Sequence, residues 1–504
     1  MQLRLILNNI SVIEIRGESS VDVTDITCDS RQCGTGSLFF AVPGHLSDGH
    51  HYIDEAIRAG SRCVICERDI PEQAGVTFVR VADSRRAMSR AAKNFFGNPS
   101  NELTVVGVTG TNGKTTVTCL VEAVLKAGGL NPGVIGTIEW RYGETAVPSR
   151  NTTPESLDLQ RILRTMADGG VTHVVMEVSS HAIDMHRVAD IDFDLGVFTN
   201  LSPEHLDYHG TMENYYAVKK SFFQHLPKES AAVINDDDPW GKRLTREIGG
   251  SITTFGMDKT CHVSPTDVEL GLTGLKSRLE TPRGVLTLES PLMGAFNLSN
   301  IMAAVGTCLA LKIDNEYIVK GIETAGPVPG RLERVPADED IYIFVDYAHT
   351  EDALRNVLET LRVFAERRLI TVFGCGGERD KTKRPLMGRT AAELSDCVVI
   401  TSDNPRGEDP QAIISDIERG VDVAKIDTAL SPGRAGTEQR GYLVIEDRAE
   451  AIDWAVHSAR TGDIILIAGK GHEDYQIVGD RRLPFDDRIA AARALASRHS
   501  RSVS

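Results

Sequence analysis

The sequence predicts an α/β protein of three domains, of which the second and third are built on largely parallel sheets. Two observations support this fold class. The 504 residues are enough for about three domains, each with its own hydrophobic core. Along most of the chain, short β-type apolar runs alternate with segments of helical apolar spacing, which is the pattern of βαβ units.

The strand-like and helical segments of three successive regions predict the three domains. Residues 1–100 predict a small N-terminal α/β domain, with strand-like runs SLFFAV, CVIC and TFVRV, helical segments YIDEAIRAG and RRAMSRAAKNFF, and a turn-rich end, GNPSNE. Residues 101–330 predict a central parallel-sheet domain, because THVVMEV, LGVFTN and AAVIN alternate with helices. Residues 331–504 predict a C-terminal Rossmann-like doubly wound domain, with strands IYIFVDY, LITVFG, CVVITSD and DIILIAG. Ligands of such sheets bind beyond the carboxyl ends of the strands.

A glycine-bearing loop within residues 105–118, VVGVTGTNGKTTVT, lies between a strand-like run and a helical segment. Glycines let backbone N–H groups close around phosphate oxygens, Lys114 can reach the outer phosphates, and the Thr115 hydroxyl can ligate Mg²⁺. Val108 stands where the strict pattern has glycine, and a glycine turn with an incidental lysine is the alternative. We predict a P-loop ATPase-like central domain that binds ATP. Its loop residues are Gly110, Thr111, Asn112, Gly113, Lys114, Thr115 and Thr116.

Composition excludes several other classes. Hydrophobic residues make up 41% and charged residues 25%, as in ordinary globular proteins. The net charge of −16 argues against a nucleic-acid partner, because such affinity comes from clustered lysine and arginine. The sequence has no leader pattern and no apolar run of membrane-spanning length, so we expect a cytoplasmic protein without membrane insertion. Nine cysteines suggest no disulfide framework, and Cys63 and Cys66 indicate a buried strand rather than a zinc site.

Acidic and histidine residues follow two of the predicted central strands. Glu177 ends the run VVME, where a carboxylate is costly to bury unless it is paired or bound to a cation. This position indicates Mg²⁺, with a structural salt bridge as the alternative. The segment VFTNLSPEHLDYHG then groups Glu204, His205, Asp207 and His209, and such a cluster at a strand end favours a functional role.

Six motifs occur in the order TGTNGKTT, MEVSSH, NLSPEHLDYHG, GAFNLSN, GRLE and VDYAHT. With them the chain resembles the Mur ligases, the ATP-dependent amide-forming enzymes of peptidoglycan precursor synthesis. CDSR, NTTP at 151–154 and DNPR at 403–406 narrow the resemblance to members that add meso-2,6-diaminopimelate to UDP-N-acetylmuramoyl-L-alanyl-D-glutamate. The resemblance covers essentially the whole chain. It implies that ATP converts the glutamyl carboxylate to an acyl phosphate, which the amine of the amino acid then attacks.

The resemblance also implies roles around the nucleotide. Lys114 and the loop amides hold the β- and γ-phosphates, Thr115 and Glu177 bind one Mg²⁺, and His205 helps to hold a second. Asn297 and Asn300 match the segment near adenine, and Arg331 and Asp346 match an ATP-site arginine and aspartate. From the residues alone, GAFNLSN is a helix start with an Asn cap, and Arg331 is either a surface charge or a cation brought to the phosphates by domain closure.

A lysine in the helix after HLDYHG is carbamylated in this family and supports the second Mg²⁺. The segment YYAVKKSFF offers Lys219 and Lys220, and the resemblance favours Lys219 as the N6-carboxylysine. Chemistry alone does not choose, since either amine must be neutral to capture CO₂. Two lysines on a solvated helix face are the alternative.

Two substrate sites follow from the resemblance. Contacts to the UDP-linked substrate are assigned to Ser30, His45, Thr152, Thr153, Ser179 and Arg187. Contacts to diaminopimelate are assigned to Arg384, Asp403, Asn404, Arg406, Gly469 and Glu473. An arginine fork binds the distal carboxylate that distinguishes diaminopimelate from lysine. Taken alone, DSR is a turn, NTTP a loop, DNPR an Asn-Pro turn and GKGHE a glycine loop.

Two other classes stay open. A sibling enzyme, such as folylpolyglutamate synthase or another Mur ligase, would share the ATP loop and the asparagine segment, although CDSR, NTTP and DNPR argue against it. A nucleotide-dependent switch would need only the first loop. We expect a monomer that uses ATP as co-substrate and Mg²⁺ as cofactor.

Overall fold

The computed structural model describes residues 1–44, 47–71, 73–337, 341–421 and 440–502. By compactness the chain divides into two units, called unit 1 and unit 2 below. Unit 1 comprises Met1–Leu201, Thr211–Val263 and Ala303–Gly321. Unit 2 comprises Ser202–Gly210, Ser264–Met302 and Ile322–Ser504. The boundaries proposed for three domains stay a prediction. Within the described ranges, no helix is both long and apolar enough to cross a bilayer.

The first sheet of unit 1 is small and mixed. Its strands are β1 (Val12–Arg16), β2 (Asp25–Thr27), β3 (Ser37–Phe40), β4 (Cys63–Cys66) and β5 (Thr77–Val81), in the order β1-β5-β4-β3-β2. The helices are α1 (Leu3–Ile6), α2 (Ile53–Arg58) and α3 (Ser84–Phe95). Only β1, at the edge, pairs antiparallel. The predicted N-terminal strands and helices are confirmed, and Cys63 and Cys66 are buried in β4 as predicted.

The second sheet of unit 1 is the largely parallel sheet predicted for the central region. Its strands are β6 (Thr104–Thr109), β7 (Pro132–Ile135), β8 (Glu139–Tyr142), β9 (Thr145–Pro148), β10 (His173–Glu177), β11 (Leu195–Phe198), β12 (Ala231–Asn235) and β13 (Ser251–Phe255). The spatial order is β13-β12-β11-β6-β10-β7-β8-β9, in which the pairs β7–β8 and β8–β9 are antiparallel and the other pairs are parallel. The central strands are continuous apolar runs because both of their faces are covered.

Helices lie between the strands of this second sheet in the chain. They are α4 (Lys114–Ala127), α5 (Ser156–Asp168), α6 (Ser180–Asp184), α7 (Leu206–His209), α8 (Met212–Gln224) and α9 (Pro239–Glu247). Helix α9 begins at a proline, and the Asp238 side chain accepts hydrogen bonds from the N–H groups of Trp240 and Gly241. Of this set, α7 belongs to unit 2.

A three-stranded antiparallel sheet in unit 2 corrects the prediction of continuous βαβ alternation over residues 101–330. Its strands are β14 (Ser264–Gly271), β15 (Gly274–Thr281) and β16 (Gly284–Ser290). In β15 and β16 buried and exposed residues alternate, so one face is covered and the other meets solvent. Two-residue turns join the strands, and such short connections require antiparallel pairing.

The large sheet of unit 2 is doubly wound, as predicted. Its strands are β17 (Glu333–Val335), β18 (Tyr342–Asp346), β19 (Leu369–Phe373), β20 (Cys397–Ile400), β21 (Gly441–Val444) and β22 (Ile464–Ala468), in the order β17-β18-β22-β19-β20-β21. A hairpin follows, of β23 (Tyr475–Val478) and β24 (Arg481–Pro484). The remaining helices of the chain are α10 (Ala295–Ala310), α11 (Asn315–Glu323), α12 (Glu351–Arg362), α13 (Lys383–Leu394), α14 (Pro410–Glu418), α15 (Arg448–Ser458) and α16 (Asp487–Ser502). Of these, α10 and α11 each have residues in both units. Within the large sheet, β17 at the edge pairs antiparallel with β18, and all other neighbouring strands pair in parallel.

A fully buried ion pair joins the starts of α15 and α16. Arg448 Nε and Nη2 each donate to the Asp487 carboxylate at 2.7 Å, and Nη2 also donates to the Ala468 carbonyl at the end of β22. Both side chains are 0% exposed. Removing one partner of such a pair leaves an uncompensated charge in a medium of low dielectric.

Asp487→Asn is therefore expected to destabilise unit 2 by about 3 kcal/mol or more, measured as a shift of the denaturant-unfolding midpoint. The control is Glu289→Gln, which breaks the pair between Lys276 and Glu289, whose side chains are 59% and 63% exposed. It should change stability by less than about 1 kcal/mol. Equal effects of the two substitutions would contradict the importance of burial.

Candidate active-site residues

The predicted phosphate loop lies between β6 and α4 in unit 1. Helix α4 begins at Lys114, and Gly113 precedes it with a φ of 88°, in the left-handed region that glycine tolerates. Gly110 has a φ of 148°, and a Cβ there would collide with the Thr199 hydroxyl. The loop therefore requires glycine at both positions, which supports the prediction of a built loop over that of an incidental turn.

Residues at the end of the neighbouring strand β11 hold this loop in shape. Asn200 accepts hydrogen bonds from the Thr111 N–H at 2.9 Å, through its carbonyl, and from the Asn112 N–H at 2.8 Å, through Oδ1. The Thr199 hydroxyl donates to the Asn112 carbonyl at 2.6 Å. Sequence reasoning did not select Thr199 or Asn200, although their place after a parallel strand was a usable signal.

Lys114 folds back over the loop. Its Nζ donates to the carbonyls of Gly110 at 3.0 Å and Thr111 at 2.7 Å. The next residue, Thr115, donates through Oγ1 to Glu177 Oε1 at 3.0 Å. Glu177 ends β10, the neighbour of β6, so two adjacent strand ends bring the helix start and the carboxylate together.

Glu177 is a buried carboxylate, 1% exposed, that is satisfied by neutral donors. Besides Thr115, it accepts from the Thr137 N–H and the Thr137 hydroxyl, each at 2.9 Å. In the described part of the chain no cationic side chain pairs with it, so the salt-bridge alternative is wrong. Thr137 was missed by sequence reasoning, because no motif marks it and its link to Glu177 spans 40 residues.

The two adjacent lysines of α8 have different surroundings. Lys219 is buried, at 1% exposed, and its Nζ donates to the Gly110 carbonyl at 3.0 Å and to Thr109 Oγ1 at 3.4 Å. Lys220 instead donates to Glu247 at 2.9 Å and keeps 25% of its side chain exposed. The alternative of two lysines on a solvated face is therefore wrong for Lys219.

Four residues predicted to contact the UDP-linked substrate lie together beside Glu177. The Thr152 hydroxyl is 3.1 Å from that of Thr137, and the Thr153 hydroxyl donates to the Glu177 carbonyl oxygen at 2.9 Å. The Thr153 hydroxyl also accepts from the Ser179 N–H at 3.1 Å, and the Thr153 carbonyl accepts from Arg187 at 3.0 Å.

The other two predicted substrate contacts belong to the N-terminal region. The Ser30 hydroxyl donates to Glu55 Oε2 at 3.1 Å, and Ser30 is buried. His45 lies outside the described residues. Both assignments stay predictions.

His205 belongs to unit 2 and adopts a left-handed backbone, with a φ of 55°. Its Nε2 is 3.8 Å from Glu204 Oε1, and the same oxygen is 3.6 Å from Nε2 of His349. Two imidazole nitrogens are thus within 3.8 Å of one carboxylate oxygen. Among the described residues, no group of three such side chains is arranged to hold a metal ion.

Arg331 precedes β17, and Asp346 ends β18, the neighbouring strand in the large sheet of unit 2. Arg331 lies over the Tyr347 ring, with its guanidinium carbon 4.8 Å from the ring centre, so it is more than a solvated surface charge. Asp346 accepts from the N–H groups of Leu332 at 2.6 Å and Ala348 at 2.7 Å. Burial raises the pKa of Asp346 above its ordinary value, and the Arg331 cation and these N–H groups oppose the shift.

The two asparagines near the predicted adenine side lie inside α10. The helix begins at Ala295, so the prediction of an Asn cap at its start is wrong. Asn300 Nδ2 donates to Asn297 Oδ1 at 3.0 Å, and Asn297 Nδ2 donates to the Met293 carbonyl at 2.9 Å. Both side chains are buried and fix each other's orientation.

The predicted diaminopimelate residues gather at the ends of β19, β20 and β22 in unit 2. Asn404 donates through Nδ2 to Glu473 Oε2 at 2.8 Å. A Cβ at Gly469, whose φ is 112°, would come within 2.7 Å of the Asp403 carboxylate. Arg406 is half-buried, and its Nη1 donates to the Gly377 carbonyl at 2.8 Å. Sequence order places these residues far apart, and the parallel sheet brings them together.

Arg384 differs from Arg406 in its partners. It is 1% exposed, and its two Nη atoms donate to Asp416 at 2.9 Å and to Glu408 at 3.0 Å. The Arg384 guanidinium holds the pKa of Glu408 at about 2. Arg384 therefore binds carboxylates of its own chain, and its contact with diaminopimelate stays a prediction.

The fold and these two groups of residues indicate a nucleotide-dependent ligase, and the comparisons give its family. The Mur ligase family catalytic domain matches residues 22–96, the Mur ligase middle domain residues 108–308, and the Mur ligase glutamate ligase domain residues 330–471. The chain belongs to the Mur ligase family.

Within this family, the chain is similar to several proteins that share one name. A Geobacter metallireducens protein named UDP-N-acetylmuramoyl-L-alanyl-D-glutamate–2,6-diaminopimelate ligase is 46% identical over 508 residues, covering 99% of each chain. A protein of the same name from Gloeobacter violaceus is 44% identical over 491 residues, covering 97% of each. A solved structure with this name is 32% identical, with a TM-score of 0.69 and 99% of both chains covered. The MurF ligase of Thermotoga maritima in complex with ADP shares the fold, with a TM-score of 0.64 at 20% identity, covering 95% of this chain and 98% of that one.

Proposed function

We propose that this protein joins meso-2,6-diaminopimelate to UDP-N-acetylmuramoyl-L-alanyl-D-glutamate at the expense of ATP, giving the tripeptide precursor of peptidoglycan. The observation that carries the proposal is that Arg406 and Glu473 both contact Asn404 at one end of the unit 2 sheet. Arg406 Nη1 donates to the Asn404 carbonyl at 3.4 Å, and Asn404 Nδ2 donates to Glu473 Oε2 at 2.8 Å. The distal end of diaminopimelate bears a carboxylate and an ammonium, so a cation and an anion side by side match it. Relatives with this name, 41–46% identical over nearly the whole chain, support the same substrate.

The first step requires phosphate positioning. Loop N–H groups, the start of α4 and Lys114 would hold the β- and γ-phosphates while a glutamyl carboxylate oxygen attacks the γ-phosphorus. ADP leaves, and the carboxylate becomes an acyl phosphate. Transfer between two anions depends mainly on alignment and charge neutralisation, which is what glycine-shaped amides and a lysine provide.

The oxygen atoms of Glu177 and Thr115 beside the loop are suitable ligands for Mg²⁺. Glu177 is a buried carboxylate with neutral hydrogen-bond partners, and Thr115 contributes a hydroxyl, so both are oxygen ligands of the kind that Mg²⁺ prefers. Bound there, Mg²⁺ would neutralise charge on the phosphates. His205 is proposed to help hold a second ion.

The second step requires a free amine and a good leaving group. The amine of diaminopimelate attacks the acyl carbon, and the tetrahedral intermediate expels inorganic phosphate as the amide forms. The nitrogen loses its extra protons to solvent.

The substrates are held by further proposed contacts. The peptide and sugar of the UDP-linked substrate are proposed to contact Thr152, Thr153, Ser179 and Arg187, and the uridine diphosphate is proposed to contact Ser30 and His45. The proposed ATP contacts outside the loop are Asn297, Asn300, Arg331 and Asp346.

Lys219 is proposed to carry the carbamate. We expect Lys219→Met to lower kcat at least about 100-fold, because the group that supports the second metal ion is lost. Lys220→Met is the matched control, since Lys220 pairs with Glu247. After incubation with ¹³C-bicarbonate, a carbamate NMR signal should be present in the wild type and in Lys220→Met, and absent from Lys219→Met. A signal that is lost only in Lys220→Met would reverse the assignment.

Phosphate release by the purified protein tests the proposed function. We expect release from ATP only when both the UDP-linked dipeptide and diaminopimelate are present. Robust release with neither would favour a nucleotide-dependent switch, and turnover with a folate or with lysine alone would favour a sibling ligase. Cytoplasmic location and a monomeric state stay predictions.

A further inference from the structure

Lys470, directly after Gly469 at the end of β22, is a fully buried lysine to which neither the sequence nor the proposed mechanism gives a role. Its side chain is 0% exposed. Its Nζ donates to Glu473 Oε2 at 2.9 Å and to Asn404 Oδ1 at 3.1 Å, and lies 5.4 Å from the centre of the Tyr475 ring. Burying an ammonium costs free energy unless well-placed acceptors compensate for the lost water. Lys470 has two such acceptors, and both belong to residues of the predicted diaminopimelate site.

These contacts decide how Asn404 is oriented. A lysine ammonium can only donate, so the atom of Asn404 that faces Lys470 must be the oxygen. The Ile477 N–H donates to the same Oδ1 at 2.9 Å. The amide nitrogen therefore points the other way and donates to Glu473 Oε2 at 2.8 Å. Without Lys470, one of the two donors that fix this orientation is lost.

The same contacts divide the two oxygens of Glu473. Oε2 accepts from both Lys470 and Asn404. Among the described residues, no hydrogen-bond donor reaches Oε1. Glu473 keeps 15% of its side chain exposed. One oxygen is thus anchored to the protein, and the other can accept from a ligand.

We propose that Lys470 is a positioning residue for the amino-acid substrate: it anchors Glu473 and Asn404 so that Glu473 Oε1 accepts the distal ammonium of the diamino acid. The proposal rests on the proposed function and adds a residue to it. Lys470 acts through these two side chains and does not touch the reacting atoms. A purely structural ion pair would instead affect folding and all three substrates alike.

The first test is the steady-state kinetics of Lys470→Met, which removes the charge and keeps the length of the side chain. The KM for diaminopimelate should rise roughly 10- to 100-fold, because an anchored charge-assisted contact is lost. The KM values for ATP and the UDP-linked dipeptide should stay within about threefold. An unchanged KM for diaminopimelate, or equal rises for all three substrates, would overturn the proposal.

Lys276→Met is the matched control. Lys276 also pairs with one glutamate, at 2.6 Å, but both side chains are exposed and lie on the antiparallel sheet. It should leave all three KM values unchanged. A rise in the KM for diaminopimelate as large as that of Lys470→Met would overturn the proposal.

The second test is a double-mutant cycle with Glu473→Gln. If Lys470 acts through Glu473, the double variant should have nearly the diaminopimelate KM of Glu473→Gln alone. A KM raised by the product of the two single effects would overturn the proposal. Each single variant buries one unpaired charge, whereas the double variant buries none. A folded double variant whose diaminopimelate KM stays within about threefold of the wild-type value would therefore overturn the proposal even if a single variant does not fold. A wild type that does not use diaminopimelate at all would refute the proposed function rather than the role of Lys470.

Discussion

Lys114→Met is expected to lower kcat/KM by about 10³-fold, because it removes the cation that faces the transferring phosphoryl group. The substitution keeps the length and the apolar stem of the side chain. The Thr111 and Asn112 N–H groups donate to Asn200, and these contacts hold the loop without the lysine, so its loss should leave the glycine-shaped loop intact. The measurement is the initial rate of ADP formation with all three substrates.

Lys126→Met is the control for this prediction. Lys126 lies at the other end of the same helix, is 59% exposed, and pairs with Glu122 one turn away. Its replacement should change the rate less than about twofold. A Lys114→Met enzyme that kept more than a tenth of wild-type activity would contradict the assignment of the loop as the phosphate site.

Arg406→Gln is expected to lower kcat/KM for meso-diaminopimelate roughly 10³-fold, because a distal carboxylate would be left without its fork-shaped partner. Lysine lacks that carboxylate, so its much slower use should change little. The preference for diaminopimelate over lysine should therefore shrink by nearly the same factor. Competition kinetics with the two amino acids measure this ratio directly.

Arg389→Gln is the matched control for the specificity prediction. Arg389 is 63% exposed on α13 and pairs with Glu393 one turn away. It should leave the preference unchanged. If Arg406→Gln slowed diaminopimelate and lysine equally, Arg406 would have a structural role rather than one in substrate choice.

Much of the fold could be predicted because it follows from local patterns. The buried strands of both parallel sheets are continuous apolar runs, and the loop before Lys114 has glycine where the backbone requires it. The antiparallel strands at 264–290 were missed, because they are partly polar and lie within a region that otherwise alternates strands and helices. The available signal in the sequence was the segment LKSRLE at 275–280, in which charged residues alternate with Leu, Ser and Leu.

The candidate site was predictable to the extent that strand ends and motifs mark it. The motifs single out Glu177 and Lys219. The contacts that make them important, of Glu177 with Thr137 and of Lys219 with Gly110, span 40 and 109 residues of the chain. Lys470 shows the same limit. A lysine between two glycines carries no periodicity, and only the folded sheet places it between Asn404 and Glu473.

The most direct test of the proposed chemistry follows an oxygen atom. The UDP-linked dipeptide, labelled with ¹⁸O in its glutamyl side-chain carboxylate, is incubated with ATP, diaminopimelate and the protein, and the released phosphate is analysed by mass spectrometry. An acyl phosphate requires one ¹⁸O in each phosphate and a nucleotide product extended by one diaminopimelate. Phosphate without the label, or ADP formed without that product, would contradict the account.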